Sequence, residues 1–154
     1  MSLKSFPGTE KGAAALLAEF VKPGADTMGL SKQLRPSLAD YKALFDGPTA
    51  TKIESVYSPE WEAENLVIAP KPGQTEVKLW RATVAELRAG TGHAKEFPGA
   101  YKQIIPHFVG NAAIYRFKFV EPGKDTGMSF DGLAHVNGHW VIVPKPWRGL
   151  DDHH

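Results

Sequence analysis

His135 is the residue of this sequence best suited to chemistry, because an imidazole in an apolar setting titrates near neutral pH. It lies between Leu133 and Trp140, in a stretch rich in apolar residues. A histidine in such a place can act as a general base or bind a polar ligand group. The alternative is a histidine at the edge of the core, hydrogen-bonded to a carbonyl group as buried polar groups usually are. The sequence leaves both interpretations open.

A second set of residues has the chemistry of a small-molecule pocket. Aromatic rings with one or two well-placed cations suit an anionic or aromatic ligand. The predicted ligand-binding residues are Trp80, Tyr115, Arg116, His135 and Trp140. The alternative is an ordinary half-buried strand, with Tyr115, Phe117 and Phe119 in the core and Arg116 in solvent.

Asp131 is the acidic residue nearest to His135 in this part of the chain. On one strand the two residues share a face but lie roughly 13 Å apart, at about 3.3 Å per residue. That separation is too long for a direct catalytic dyad. The pair Asp131-Gly132 therefore predicts a turn or a β-bulge. A catalytic role for Asp131 is the alternative.

Several kinds of site lack the residues that they need. The chain has no cysteine, which excludes disulfides, thiol nucleophiles and thiolate metal sites. Its six histidines form no H-E-x-x-H or H-x-H motif. A Gly-rich phosphate loop and a G-x-S-x-G elbow are also missing. The sequence thus predicts neither a metal site nor a cofactor.

A β-hairpin within residues 127–148 must position His135 and Trp140. Asn137-Gly138 is the strongest short hairpin signal, because both central residues of a type I′ turn need a positive φ. With this dipeptide as the loop, His135 pairs with Trp140 and Val136 with His139, and paired residues share a face. Both faces are mainly apolar, so both are expected to be covered.

The remaining segments predict an α+β fold, with helices before neighbouring antiparallel strands. Residues 9–57 are expected to form short amphipathic helices, and Ser58-Pro59 to start a fresh helical turn. The expected helix caps are Thr9, Asp26, Ser37 and Thr83. Gly47 is expected to close the third helix. Further strands are expected over 66–69, 75–82 and 111–120.

Composition places the chain among ordinary globular domains. Its 154 residues suit one domain, 1–154, with a loose lead-in at 1–8 and a frayed tail at 149–154. The net charge is +1 without a run of Lys or Arg, so neither nucleic acid nor a membrane surface is an expected partner. The beginning of the chain has no apolar signal region. The default expectation is a cytoplasmic location.

The hairpin also carries a family resemblance. The runs Asp131-Gly132-Leu133 and Val136-Asn137-Gly138-His139-Trp140-Val141-Ile142 resemble the C-terminal hairpin of the NTF2-like (cystatin-like, SnoaL-like) superfamily. Residues 96–99 and 144–148 are similar to uncharacterised bacterial members. This resemblance implies N-terminal helices packed on a strongly curved antiparallel sheet, which together form a cone. It implies no catalytic residue at a position of this chain.

Two functions are consistent with these features. The first is a non-catalytic NTF2-like module that binds a small hydrophobic molecule or a protein partner, as a homodimer formed through the sheet. The second is a small isomerase or lyase for a hydrophobic substrate, with His135 as general base. A pocket of several hundred Å³ beside His135 favours the enzyme, whereas aromatic side chains that fill the cone favour the binding module.

Overall fold

The computed structural model describes residues 2–150, apart from the Lys4 side chain, and this part contains six α-helices and four β-strands. The helices are α1 (Glu10–Ala18), α2 (Thr27–Lys32), α3 (Leu38–Leu44), α4 (Gly47–Glu62), α5 (Val84–Ala89) and α6 (Tyr101–Ile104). The strands are β1 (Glu76–Thr83), β2 (Ala113–Val120), β3 (Gly127–Val136) and β4 (His139–Ile142). The predicted α+β class is confirmed. None of these helices is both long and apolar enough to cross a membrane.

The predicted helix caps are confirmed. Each side-chain oxygen accepts a hydrogen bond from a backbone N–H in the first turn, which satisfies one of the free donors of a helix N-terminus. The four caps are Thr9, Asp26, Ser37 and Thr83. The caps of α3 and α5 are complete capping boxes, because Asp40 and Glu86 bond back to the backbone of the cap residue.

Helix α4 differs from the prediction at Gly47 and at Pro59. Gly47 begins this helix instead of closing the previous one, because Asp46 caps it by accepting a bond from the backbone of Thr49. The helix also runs through Pro59 without a break. Tyr57 and Trp61, on either side of the proline, are both buried, so core packing outweighs the lost backbone bond.

The four strands form one antiparallel sheet in the order β1-β2-β3-β4. The sheet is open and not strongly curled, so the strongly curved cone is not seen. Strong curvature needs repeated bulges, whereas the ladders among the described strands contain one register shift, between Tyr115 and Phe117. The predicted strand over 66–69 is also wrong, because Ile68 bonds to the Ser31 hydroxyl and the segment joins no ladder.

The hairpin has the predicted register. Val136 pairs with His139 and His135 with Trp140, and the ladder continues to Ile142. Both faces are covered, since Leu133, Ala134 and Ile142 have no exposed surface. One hydrophobic core extends from Leu3 to Val143.

Part of the predicted loose lead-in, residues 1–8, is anchored to the rest of the protein through Leu3 and Phe6. Leu3 is 1% exposed, and its backbone N–H donates to the Gln33 side chain at 2.8 Å. The Trp140 indole donates to the Phe6 carbonyl at 3.1 Å. At the other end, Gly149 is buried, whereas residues 151–154 of the predicted frayed tail lie outside the described residues.

Candidate ligand-binding site

The structure brings three of the five predicted ligand-binding residues together. Trp140 lies beside Tyr115 and His135, with ring centroids 5.6 and 5.1 Å apart, respectively. Trp80 and Arg116 pair with each other on the opposite face of the sheet. The Lys118 ammonium group lies 5.4 Å from the Trp80 ring there. The five residues therefore do not share one pocket.

The face that carries His135 is filled by side chains. Tyr115 and Trp140 are each 2% exposed, and Phe117 and Phe119 are fully buried. A Cβ atom on Gly8 would come within 2.6 Å of the His135 Nδ1, so the N-terminal segment covers the ring. Burial lowers the pKa of His135, which favours the neutral form. Within residues 2–150 no hydrogen bond orients its ring. The geometry thus resembles a packed core edge.

A β-bulge lies on β3, the strand that also carries His135, at the dipeptide where the sequence predicted a turn or bulge. Tyr115 pairs with Leu133 and Phe117 with Phe130, so Arg116 faces both Asp131 and Gly132. Gly132 has a φ of +83°, a left-handed conformation that favours glycine. Its carbonyl accepts a bond from the backbone of Val143 at 2.9 Å. Asp131, at this bulge, is buried.

Asp131 is buried with few hydrogen bonds. The residue is 5% exposed, and the backbone N–H of Lys145 lies 3.3 and 3.4 Å from the two carboxylate oxygens. The buried Tyr101 hydroxyl is directed toward the carboxylate but makes no hydrogen bond of ordinary geometry. A carboxylate has about four acceptor positions. Asp131 therefore retains capacity for a donor from a ligand.

The electrostatics of Asp131 reflect this incomplete solvation. Burial raises its pKa above the ordinary value of 3.8, while the Tyr101 hydroxyl, the Lys145 backbone and the charges of Arg116 and Lys145 act in the opposite direction. Burial also raises the pKa of Tyr101 and of Tyr57, so both phenols stay neutral. A titratable group perturbed by burial inside a cleft is a marker of functional sites.

Asp131 forms part of the wall of a cavity of about 280 Å³, hereafter the Asp131 cavity. The cavity lies between segment 65–68, which is neither helix nor strand, and the first half of β3. Its apolar wall consists of Leu66, Val67, Ile68, Met128, Phe130 and Pro144. Tyr57, Lys145 and Arg148 supply polar groups: the Tyr57 hydroxyl donates to the Lys145 carbonyl at 3.0 Å, and the Arg148 guanidinium lies 5.8 Å from the Tyr57 ring.

Three other cavities are larger but lack a buried acidic or basic group. In two of about 330 Å³ the lining includes ion pairs: Lys22 pairs with Glu19 in one, and Lys32 and Arg35 pair with Glu64 and Glu62 in the other. A third, of about 480 Å³, is an apolar recess between α5 and α6. None of the four cavities is lined by His135 or Trp140. The Asp131 cavity is therefore the better candidate.

Two aspartate–histidine pairs connect elements of the fold. The His139 Nε2 donates to Asp40 at 2.9 Å, and His107 Nδ1 lies 3.1 Å from Asp46. Both carboxylates also bond to a backbone N–H at a helix N-terminus, so each pair joins a helix to another element. Over residues 2–150, no three His, Asp or Glu side chains are grouped as metal ligands.

Sequence reasoning identified the Asp131-Gly132 bulge but treated a functional role for Asp131 as the alternative. Tyr57, Asn65 to Ile68 and Arg148 were not predicted as site residues, because the cavity joins segments that are far apart in the chain. A bulge beside an acidic residue was the available signal, since bulges often lie next to functional sites. Comparisons with protein-family models, curated proteins and solved structures gave no match to this chain.

Proposed function

We propose that the chain is a non-catalytic module that binds a small amphipathic molecule in the Asp131 cavity. The observation that carries this proposal is Asp131, a residue 5% exposed whose carboxylate has unused acceptor positions, in the wall of a largely apolar cavity. Pockets that bind small molecules combine apolar walls with a few placed polar groups. Of the four cavities described, the Asp131 cavity fits this description best.

The wall chemistry defines what the ligand needs. Six apolar residues of the wall suit a short hydrocarbon body, whose burial is worth roughly 25 cal/mol per Å². Asp131 can accept a hydrogen bond from an ammonium or other N–H donor of the ligand. A bond to a charged donor contributes about 1.5–3 kcal/mol. A short alkylamine is therefore the simplest probe.

The lining residues favour binding over catalysis. Ser129 is the one serine among them, and in the described part of the chain its hydroxyl bonds to no histidine or carboxylate. Tyr57 already donates to a backbone carbonyl. A nucleophile needs an adjacent base, and a base needs a reacting proton within about 3 Å. We find no observation that favours the isomerase or lyase with His135 as base.

We expect 3-methylbutylamine to bind the protein at pH 7 at least about tenfold more tightly than 3-methylbutanol, which has the same hydrocarbon body. In Asp131→Asn this preference should disappear, because the amide carries no charge to attract the ammonium group. Binding should be measured by NMR titration, following the backbone amides of Leu66, Met128 and Lys145. Asp125→Asn is the matched control, since it removes the same charge from a 91% exposed side chain.

The stability of Asp131→Asn separates a binding role from a structural one. The pKa of Asp131 is raised in the folded state, so its contribution to stability is present at low pH and is lost as the pH rises through that pKa. At pH 7 the carboxylate therefore does not stabilise the fold. The variant should unfold within about 1 kcal/mol of the wild type. Equal affinity for amine and alcohol in the wild type, or an unchanged preference in the variant, would contradict the proposal.

The family and the oligomeric state remain part of the proposal. The order of helices followed by a strand meander, together with the hairpin register, supports a divergent NTF2-like protein. Strand β1 lies at an edge of the sheet and is partly exposed, which supports a homodimer formed through the sheet. Sedimentation equilibrium of the full chain should give twice the mass of one 16.8 kDa chain. A single-chain mass at micromolar concentration would contradict the dimer.

A further inference from the structure

Several positive charges surround the Asp131 cavity, and an ammonium ligand cannot pair with any of them. Arg116 and Lys145 both act electrostatically on Asp131, and Lys145 and Arg148 line the cavity. Across residues 2–150, neither Lys145 nor Arg148 is ion-paired with a carboxylate. A ligand with only an ammonium group meets repulsion from these cations. A ligand that also carries an anionic group has a partner for each sign of charge.

The same cavity borders an unpaired stretch of strand edge. Strand β4 pairs only with Leu133 to Val136, so the first half of β3 has β2 on one side and no strand on the other within the described part of the chain. Alternate residues of an antiparallel strand direct both N–H and C=O to the same side. Met128 to Phe130 therefore include backbone groups that face away from β2. Such edges bind extended peptides through main-chain hydrogen bonds.

The size of the cavity limits the ligand. Its volume of about 280 Å³ is just below the range of roughly 300–1,000 Å³ that is typical of ligand pockets. The apolar side chains on its wall suit the apolar side chains of a ligand of one or two residues. A longer peptide would extend into solvent beyond the cavity. The cavity volume therefore favours a small ligand over a longer peptide.

We propose that the ligand is a zwitterionic dipeptide with apolar side chains. Its ammonium group binds Asp131, its peptide group lies along the free edge of β3, and its carboxylate binds Arg148 and Lys145. This inference rests on the proposed function, because it places the ligand in the same cavity. It adds the carboxylate and the peptide group to the ligand, and it assigns Arg148 and Lys145 as binding residues.

Isothermal titration calorimetry with the full chain at pH 7 tests the inference. We expect leucyl-leucine to bind at least about tenfold more tightly than 3-methylbutylamine, since it adds charge-assisted and main-chain hydrogen bonds. Leucyl-leucine amide, which lacks the carboxylate, should bind about tenfold more weakly than leucyl-leucine. N-acetyl-leucyl-leucine, which lacks the ammonium group, should also bind about tenfold more weakly.

Arg148→Gln is the informative variant, because this side chain is exposed and its replacement does not disturb the core. In this variant leucyl-leucine should lose about tenfold in affinity, and its advantage over the amide should largely disappear. Lys145→Gln should give a smaller loss, since a lysine donates to a carboxylate without the fork of arginine. Lys42→Gln, an exposed lysine of α3 outside the cavity, is the matched control and should bind as the wild type does.

The outcomes separate the two proposals. If 3-methylbutylamine binds through Asp131 but leucyl-leucine binds no more tightly, or Arg148→Gln binds it unchanged, the dipeptide inference is wrong and the proposed function survives. If N-acetylation leaves the affinity unchanged, Asp131 does not anchor the ligand. If neither the amine nor the dipeptide binds at concentrations up to about 10 mM, any binding free energy is weaker than roughly −3 kcal/mol. That result would overturn both the dipeptide inference and the proposed function.

Discussion

Replacing Gly132 with alanine is expected to destabilise the protein by about 4 kcal/mol and to abolish amine binding in the Asp131 cavity. Gly132 has a φ of +83°, a conformation that costs an L-residue about 1–3 kcal/mol. A Cβ atom at this position would also overlap the backbone carbonyl of Val143. A backbone group cannot rotate away as a flexible side chain can, and overpacking costs typically 1–3 kcal/mol more.

The loss of binding follows from the same displacement. The Gly132 carbonyl holds Val143, and Lys145, two residues later, supplies the backbone N–H that lies against Asp131. Moving Val143 away from the bulge would shift this N–H and the adjacent cavity wall. Urea denaturation gives the stability, and the 3-methylbutylamine titration gives the binding, at a temperature where the variant is folded.

Gly138→Ala is the control for backbone strain alone. Gly138 has nearly the same φ, +81°, but a Cβ atom there would have no neighbour within 4 Å. We expect this variant to lose about 1 kcal/mol and to keep its amine binding. Equal losses in the two variants would show that backbone strain and not the close approach of Val143 makes the glycine necessary. Our account of the bulge would then be wrong.

Local signals in the sequence were sufficient for the elements that depend on local chemistry. Asn137-Gly138 determines its own turn type, and a two-residue loop leaves one register for the hairpin, so every predicted pair is confirmed. The caps at Thr9 and Ser37 are likewise settled within four residues. These features were predictable because they depend only on residues that are close together in the chain.

Tertiary contacts decided what the sequence left open or predicted wrongly. Pro59 is a breaker by local rules, but the burial of Tyr57 and Trp61 keeps α4 continuous. The Asp131 cavity is assembled from α4, the segment 65–68, β3 and the chain after β4. No periodicity or spacing in the sequence connects these four segments. His135 attracted attention by residue type, whereas the structure places it against packed rings.

Asp40→Asn is expected to destabilise the protein by about 3 kcal/mol at pH 7, although the change is nearly isosteric. Asp40 is 1% exposed and accepts hydrogen bonds from the Ser37 backbone, the Asn137 amide at 2.8 Å and His139 at 2.9 Å. Since all three partners are donors, the new amide NH₂ must face one of them. Bonds to a buried charged group contribute about 1.5–3 kcal/mol each, and the unsatisfied donor adds to the loss.

The pH dependence of this loss has a definite sign. Burial alone would raise the pKa of Asp40, but hydrogen bonds from Ser37, Asn137 and His139 outweigh it and lower the pKa below 3.8. A lowered pKa in the folded state gives stability that is present above the unfolded value and is lost as the pH falls through the folded value. The free-energy difference between wild type and Asp40→Asn should therefore be constant near neutrality and shrink below about pH 3.8. Urea denaturation at a series of pH values measures it.

Asp46→Asn is the matched control, because Asp46 also lies at a helix N-terminus and contacts a histidine, but its side chain is 39% exposed. Solvent can satisfy the groups that it leaves, so a loss of about 1 kcal/mol is expected. Asp40 and Asp131 are both buried aspartates with pKa shifts of opposite sign. The hydrogen bonds of Asp40 hold α3 to the hairpin. Asp131 accepts long bonds from one backbone N–H, that of Lys145, so its replacement should affect binding more than folding. A loss in Asp131→Asn as large as that in Asp40→Asn would show that both carboxylates are structural.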